Sequence, residues 1–456
     1  MQTQNYEIDM TGGSLAKNIL KFSLPLIATN ILQLLYNAAD VIVVGKFVGT
    51  QALAAVGSTA SLITLFVNFF MGLSVGVTVA VSKFYGAREF ESLQNIVHTA
   101  VMSSIIFGII SFIAGEALAK QMLQIIQTPK DVISGAELYM KFYFIGIPAS
   151  LVFNFSAAVL RAVGDTRRPL YILTFSGIVN VLLNLLLVIV FKLGVIGVAA
   201  ATSVSNFISA AMVIVCLNKT DGMYKIHLKK LKIHAGALKE IFIVGIPAGV
   251  QGTIFNVSNV VIQSAINTFG TQVVAGSTAG ANIEGFVYMS MNAVYQAELT
   301  AVGQNYGAKN KKRIYKSLYI GILTVVAVGL IMGGGAYIFK RPLLSLYTDD
   351  AGAVSYGELR MMIICLTYAL CGIMDVECGY LRGIGYSAMT AIVSFIGVCG
   401  IRLMWIYTVF ASYRTLNILF MSWPVSWVAT LLIHTIVIVT IGRKKLNRDL
   451  AATDDN

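Results

Sequence analysis

Charge is scarce in this sequence. Asp, Glu, Lys and Arg make up 12% of its 456 residues, about half the share of an ordinary soluble domain, which excludes a typical soluble globular protein. Cysteine (5), histidine (4), proline (7) and tryptophan (3) are also sparse. The cysteines, Cys216, Cys365, Cys371, Cys378 and Cys399, form no CxxC pair and all fall in apolar runs, so a disulfide framework or thiolate metal site is not expected. No H-E-x-x-H spacing occurs and His434 stands alone, which removes a zincin centre. No G-x-x-x-x-G-K-[ST] run occurs either, so ATP hydrolysis by a P-loop is not expected. The opening residues Met1 to Gly13 are polar and the first apolar run has the length of a full span, so no cleavable signal peptide is expected.

Apolar residues are abundant, at 57% of the chain. Their runs predict twelve spans, at about 15–44, 54–82, 93–115, 139–160, 168–191, 195–217, 238–268, 274–304, 314–339, 357–381, 387–411 and 416–442. A membrane crossing takes about 20 residues, so the longer spans would tilt or project beyond the hydrocarbon. The runs are continuous rather than alternating, which argues against a β-barrel. The fold expected is an all-α integral membrane protein of twelve transmembrane helices.

A net charge of +12 would raise nucleic-acid binding in a soluble chain, but its placement says otherwise. Most basic residues lie before helix 1, after even-numbered helices or beyond helix 12. Among them are Lys17, Lys21, Lys83, Arg88, Arg161, Arg167, Arg168, Arg313, Arg382 and the cluster Arg443, Lys444, Lys445 and Arg448. The positive-inside rule then puts both termini and the longest loop, about 218–237, in the cytoplasm. Lys225 to Lys232 in that loop fix topology beside anionic headgroups rather than bind nucleic acid.

The chain repeats itself at an offset of about 221 residues. Gly49-Thr50-Gln51 meets Gly270-Thr271-Gln272, Tyr85-Gly86-Ala87-Arg88 meets Tyr306-Gly307-Ala308-Lys309, and Leu160-Arg161 with Gly164 meets Leu381-Arg382 with Gly385. One slip of register aligns Pro25 with Pro247. The organisation expected is an N-terminal lobe 1–217 (helices 1–6), a linker 218–237, a C-terminal lobe 238–442 (helices 7–12) and a tail 443–456. Six helices per half make this a parallel repeat, an arrangement that favours a central cavity and transport by alternating access.

A carboxylate at mid-bilayer costs about 2.5–3.5 kcal/mol on insertion scales, so each one that persists is a functional candidate. Asp40, Glu284, Glu298, Asp375 and Glu377 fall well inside the spans. On helix 1, Gln33, Tyr36, Asn37 and Asp40 share a face. Asn180 and Asn184 on helix 5 are one turn apart, and Thr202 opens helix 6. Together with Asp40 they could ligate Na⁺, hydrogen-bond a proton-carrying Asp40, or serve ordinary interhelical packing. On helix 8, Glu284, Tyr288, Asn292, Tyr295 and Glu298 keep within roughly 120° of arc and could line a pathway. Glu298, nearest the cytoplasmic end, is expected to be hydrated and ranks below Glu284. Asp375 and Glu377 on helix 10 are about 200° apart and cannot both face one centre. Removal from water lets a carboxyl exchange its proton near neutral pH, and an approaching cation competes for it. Tyrosines and 17 methionines suit soft binding of varied organic cations.

These residues make the chain resemble the multidrug and toxic compound extrusion family over nearly its whole length. The segments that carry the resemblance are Leu35-Tyr36-Asn37-Ala38-Ala39-Asp40, Ala52-Leu53-Ala54-Ala55-Val56-Gly57, Leu160-Arg161-Ala162-Val163-Gly164-Asp165-Thr166, Asn282-Ile283-Glu284-Gly285-Phe286, Gly303-Gln304-Asn305-Tyr306-Gly307-Ala308 and Leu381-Arg382-Gly383-Ile384-Gly385. The resemblance implies two six-helix lobes forming a V around a central cavity, and export of cationic or amphipathic organic compounds in exchange for H⁺ or Na⁺. It places coupling on Asp40, Asn180, Asn184 and Thr202, and a bending role on the helix 1 proline, Pro25, with Pro247 its repeat partner. Position 184 is Asn where many relatives carry Asp, which shifts weight toward Asp375 or Glu284 as coupling groups. The expectation is a monomeric, multi-pass protein of the plasma membrane that uses no cofactor beyond its coupling ion and no nucleic-acid partner. A lipid-linked oligosaccharide flippase of the wider superfamily is the alternative; an intramembrane enzyme or a channel is less favoured.

Overall fold

The computed structural model describes residues 6–129 and 132–451, and no strand occurs among them. Twelve long helices follow in the expected order. The first six are helix 1 Leu15–Phe47, helix 2 Thr50–Ala87, helix 3 Phe90–Ile125, helix 4 Ile133–Ala162, helix 5 Arg167–Val190 and helix 6 Gly194–Lys219. The second six are helix 7 Ala235–Asn267, helix 8 Thr271–Gly307, helix 9 Lys311–Ile338, helix 10 Ala351–Gly383, helix 11 Ser387–Phe410 and helix 12 Leu416–Leu450. A short helix, Lys340–Ser345, joins helices 9 and 10. Eleven of the twelve are long and apolar enough to cross a membrane. Helix 8 is the exception: at 37 residues it is long, but it carries Glu284, Glu298 and their polar neighbours.

Hydropathy places the membrane, whereas hydrogen bonding and capping end the helix, so most helices outrun the predicted spans. Helix 3 continues past 115 through Glu116 and Lys120. Helix 10 begins at Ala351 rather than near 357 because Asp350 caps it, accepting from the N–H groups of Gly352 (2.7 Å) and Ala353 (3.2 Å). The Ala353 N–H, the Gln272 amide and the Gly352 N–H hold the Asp350 carboxyl below the usual carboxylate range. The chain beyond Gly442, expected as a tail, is helical through Ala451.

Contacts divide the molecule into two units. The first holds 28–242 and the described residues before Asp9; the second holds Asp9–Ile27 and the residues from Ile243 onward. Helix 1 therefore contributes to both, and the division falls just beyond Pro25, where the helix lacks one backbone donor. Hydrogen bonds explain the placement of its leading segment. The Gln304 side chain accepts from Met10 N–H (2.9 Å), Asn305 donates to the Met10 carbonyl (3.0 Å), and the Arg313 guanidinium donates to the carbonyls of Met10, Gly12 and Gly13. Pro247 lies inside helix 7 in the same way that Pro25 lies inside helix 1.

The internal repeat is written in the backbone. Positive φ recurs at the same spacing of about 221 residues: Gly49 (109°) and Gly270 (97°), Arg88 (57°) and Lys309 (56°), Gly164 (91°) and Gly385 (88°). These are the links flagged by the sequence matches. A left-handed φ there suits Gly and is tolerated at a helix C-terminus. A π-helical turn also closes the fifth helix of each half, at Leu185–Val190 and at Ile406–Phe410.

In the first unit helix 4 packs against helices 2, 3 and 6; in the second its repeat partner, helix 10, packs against helices 8, 9 and 12. Small residues permit the close approaches. A Cβ at Gly276 of helix 8 would lie 2.0 Å from the Ala353 carbonyl oxygen of helix 10, a backbone atom that cannot rotate away. Gly276→Ala should therefore separate helices 8 and 10 and destabilise the second unit by about 1–3 kcal/mol. Thermal unfolding in detergent checks this, with Gly285→Ala, which meets no neighbour within 4 Å, as the matched control.

Candidate cation-coupling site

Helices 1, 5 and 6 bring the four expected residues of the first unit together. Asp40 is half-buried, Asn180 and Asn184 are buried, and they are linked side chain to side chain. Asn184 Nδ2 donates to Asp40 Oδ1 and to Asn180 Oδ1 (3.2 Å). Thr202 Oγ1 lies 3.3 Å from Asp40 Oδ2 and receives Asn180 Nδ2 at 3.4 Å. The same Thr202 oxygen is 3.1 Å from the Val198 carbonyl one turn earlier. Asn184 Oδ1 is buried with no hydrogen-bond partner. A carboxylate, two amide oxygens and a hydroxyl are hard oxygen donors of the kind Na⁺ takes, and the same set can hydrogen-bond a protonated carboxyl.

The rest of the helix 1 face behaves differently. Tyr36 packs on helix 5: its ring lies 2.0 Å from where a Gly177 Cβ would be, and its hydroxyl donates to the Thr174 carbonyl (3.3 Å). Gln33 and Asn37 are exposed and lie outside the cluster. Tyr139 and Tyr143 of helix 4, their rings 6.0 Å apart, come close enough to feel the Asp40 charge. Their i, i+4 spacing was visible in the sequence, but nothing there said which helix they would face.

The helix 8 stripe in the second unit does not form a continuous polar lining. Glu284 is buried in a two-pronged ion pair with Arg360 of helix 10, Nη2 to Oε2 at 2.7 Å and Nε to Oε1 at 2.9 Å. Arg360 also donates to Ser277 (2.9 Å) and covers the Trp423 ring at 5.1 Å. Glu284, expected to line the cavity or serve as a coupling group, is paired with Arg360, for which an unpaired position there would be costly. Tyr295 receives Arg382 Nη1 at 2.6 Å, and Gln251 of helix 7 receives Nη2 at 2.6 Å. Arg382, counted above as a cytoplasmic charge, is buried, as is Arg161. Asn292 accepts from Gln296 (3.1 Å).

Asp375 and Glu377 point apart, as their rotation requires. Glu377 receives Thr435 Oγ1 of helix 12 at 2.6 Å. Asp375 lies within electrostatic reach of Tyr288, Tyr295, Cys371 and Arg382, with Oδ2 buried and unpartnered. Among the described residues no group of three or more His, Cys, Asp and Glu side chains is arranged to hold a metal ion.

A family model described as MatE matches twice, at residues 25–186 and 247–408, once in each half. The chain belongs to the MatE family. It is similar to the "Probable multidrug resistance protein YpnP" of Bacillus subtilis, 27% identical over 400 residues that cover 86% of this chain and 88% of the relative. It is likewise similar to the "Probable multidrug resistance protein NorM" of Thermotoga maritima (25%, covering 85% and 84%) and the "Multidrug export protein MepA" of Staphylococcus aureus (20%, 81% and 82%). The fold matches a multidrug resistance MATE family transporter of the MOP superfamily in its outward-facing conformation, at a TM-score of 0.90 with 20% identity over 99% of this chain and 100% of that one. A MOP superfamily transporter from Pyrococcus furiosus matches equally, with a TM-score of 0.90 at 20% identity over 98% and 99%. As a MatE protein the chain is a multi-pass membrane transporter of the multidrug efflux family, not an enzyme.

The sequence missed two of the arginines that organise this MatE chain's second unit. Arg360 sits in an apolar run, a signal that could have found it, whereas Arg382 looked like a loop charge because it stands beside Gly383 and Gly385. The Glu284–Arg360 pair yields a direct expectation. Glu284→Ala leaves Arg360 buried and unpaired and should cost about 3–5 kcal/mol, read as a lowered unfolding midpoint. Adding Arg360→Met should recover most of that loss.

Proposed function

We propose that the protein is a secondary antiporter that exports cationic or amphipathic organic compounds by alternating access in exchange for H⁺ or Na⁺, coupling through Asp40. The observation that carries this reading is the closed Asp40–Asn184–Asn180–Thr202 hydrogen-bond set inside one unit of a MatE chain. Multidrug resistance and multidrug export are what the names of its relatives describe, which favours export over flipping of lipid-linked sugars.

One charge on Asp40 is matched by one monovalent ion. Thr202 has a single hydrogen but faces two acceptors, the Val198 carbonyl and Asp40 Oδ2. A proton on Asp40 lets both contacts hold, with Asp40 donating to Thr202 and Thr202 to Val198. For Na⁺, Asn184 would have to turn its unpartnered Oδ1 toward the ion. Protonation needs no such rearrangement, so H⁺ is the favoured coupling ion. An organic cation drawn to the ionised carboxylate competes with that proton, and this competition makes the two movements an exchange.

On this reading both termini and the 218–237 linker face the cytoplasm of a plasma-membrane protein that works as a monomer. It needs no cofactor and binds no nucleic acid. Counterflow of cationic dyes in proteoliposomes is the test. Asp40→Asn should lose gradient-driven exchange while keeping its gel-filtration profile; exchange at the wild-type rate in that variant overturns the coupling role. An imposed pH gradient alone should drive export in the wild type, and a strict requirement for Na⁺ would overturn the choice of proton.

A further inference from the structure

Glu298, like Asp375 and Glu377, is a carboxyl that neither the coupling cluster nor the Arg360 pair uses. It lies in the C-terminal third of helix 8 and is 0% exposed. Its head group enters the groove left by Gly321 of helix 9, where Oε2 lies 2.7 Å from the position a Cβ would take, with Val376 of helix 10 on the other wall. Oε2 is buried and has no hydrogen-bond donor, and among the described residues no cation pairs with the carboxyl. The ionisable side chain facing it from helix 10 is Tyr380, which also neighbours Tyr315 of helix 9.

Ser317 has one hydrogen for two neighbouring oxygens. Ser317 Oγ is 3.0 Å from Glu298 Oε1 and 3.0 Å from the Ile314 carbonyl of its own helix. A hydroxyl has one hydrogen to donate and two lone pairs to accept with. The Ile314 carbonyl can only accept, so satisfying both contacts requires Ser317 to donate to Ile314 and to accept from Glu298. A carboxylate can do no such thing. An ionised Glu298 would also leave Oε2 as a buried anionic oxygen facing carbon.

We infer that Glu298 is a proton-binding site of the second unit, separate from Asp40 and Asp375, in which the protonated carboxyl donates to Ser317 and so clasps helix 8 to helix 9. The ligand is H⁺. Loss of the proton breaks the chain of donation and places an uncompensated charge in the groove, so the clasp between the two helices opens as the proton leaves. The site stands independently of the transport reading, since it concerns a proton held at a stated atom and not the ion that drives export.

Infrared difference spectroscopy on the purified full-length protein in detergent tests it. The wild type at neutral pH should show a protonated-carboxyl C=O stretch that Glu298→Gln, a near-isosteric change, removes and Asp40→Asn retains. Ser317→Ala keeps the carboxyl but deletes its acceptor, so the band should persist and shift to the frequency of a less strongly hydrogen-bonded acid. A Glu298→Gln spectrum identical to wild type, or a Ser317→Ala band at the wild-type frequency, overturns the proposal. A failure of Asp40→Asn to block exchange would overturn the coupling role alone and leave this band in place.

Discussion

An ionisable group placed among apolar helices must find its hydrogen-bond partners or counter-charge within a few ångströms, because neither lipid nor packed side chains can supply them. The interior of each unit follows from that requirement. Arg360 is answered by Glu284 and Ser277, Arg382 by Tyr295 and Gln251, and Arg402 by Ser426 and Asn259. Asp40 is answered by Asn184 and Thr202. Each of these links joins different helices, so the polar contacts fix rotation and register where apolar packing between similar surfaces would leave both loose.

The two halves share a backbone but not a chemistry. Their links carry positive φ at matching positions, and the fifth helix of each ends in a π-helical turn. At the same spacing of about 221 residues, however, Asp40 corresponds to Val261, Glu284 to Ile63 and Arg360 to Tyr139. The backbone geometry that lets six helices pack has survived in both copies. The buried charges have not, and that leaves an oxygen-rich, singly acidic cluster in the first unit and an arginine-centred network in the second. Arg161 and Arg382 are the pair that both halves keep, and both are buried.

The order and number of helices were legible because a 20-residue apolar run has few other uses in a chain so poor in charge. The Asp40 cluster was legible for a related reason: i, i+4 spacing puts Asn180 and Asn184 on one face, and a polar face inside a membrane must meet another. Helix ends were not, since Asp350 extends helix 10 by a capping bond that hydropathy does not register. The stripe on helix 8 was legible as an arc of one helix, but its partners were not. Its members turn to different neighbours: Glu284 to Arg360, Tyr295 to Arg382, and Glu298 to Ser317.

By itself the sequence determined the class of the molecule, its duplicated architecture and the short list of polar residues worth explaining, because hydrophobic length, repeat spacing and the rarity of charge are properties of the chain. Only the tertiary structure decided what each of those residues does. Whether a buried carboxyl is paired, as in Glu284, hydrogen-bonded by amide and hydroxyl, as in Asp40, or closed into a groove beside a serine, as in Glu298, depends on which side chain of another helix comes within about 3 Å. That distance is set by close approaches at residues such as Gly276 and Gly321, and nothing local to the carboxyl encodes it.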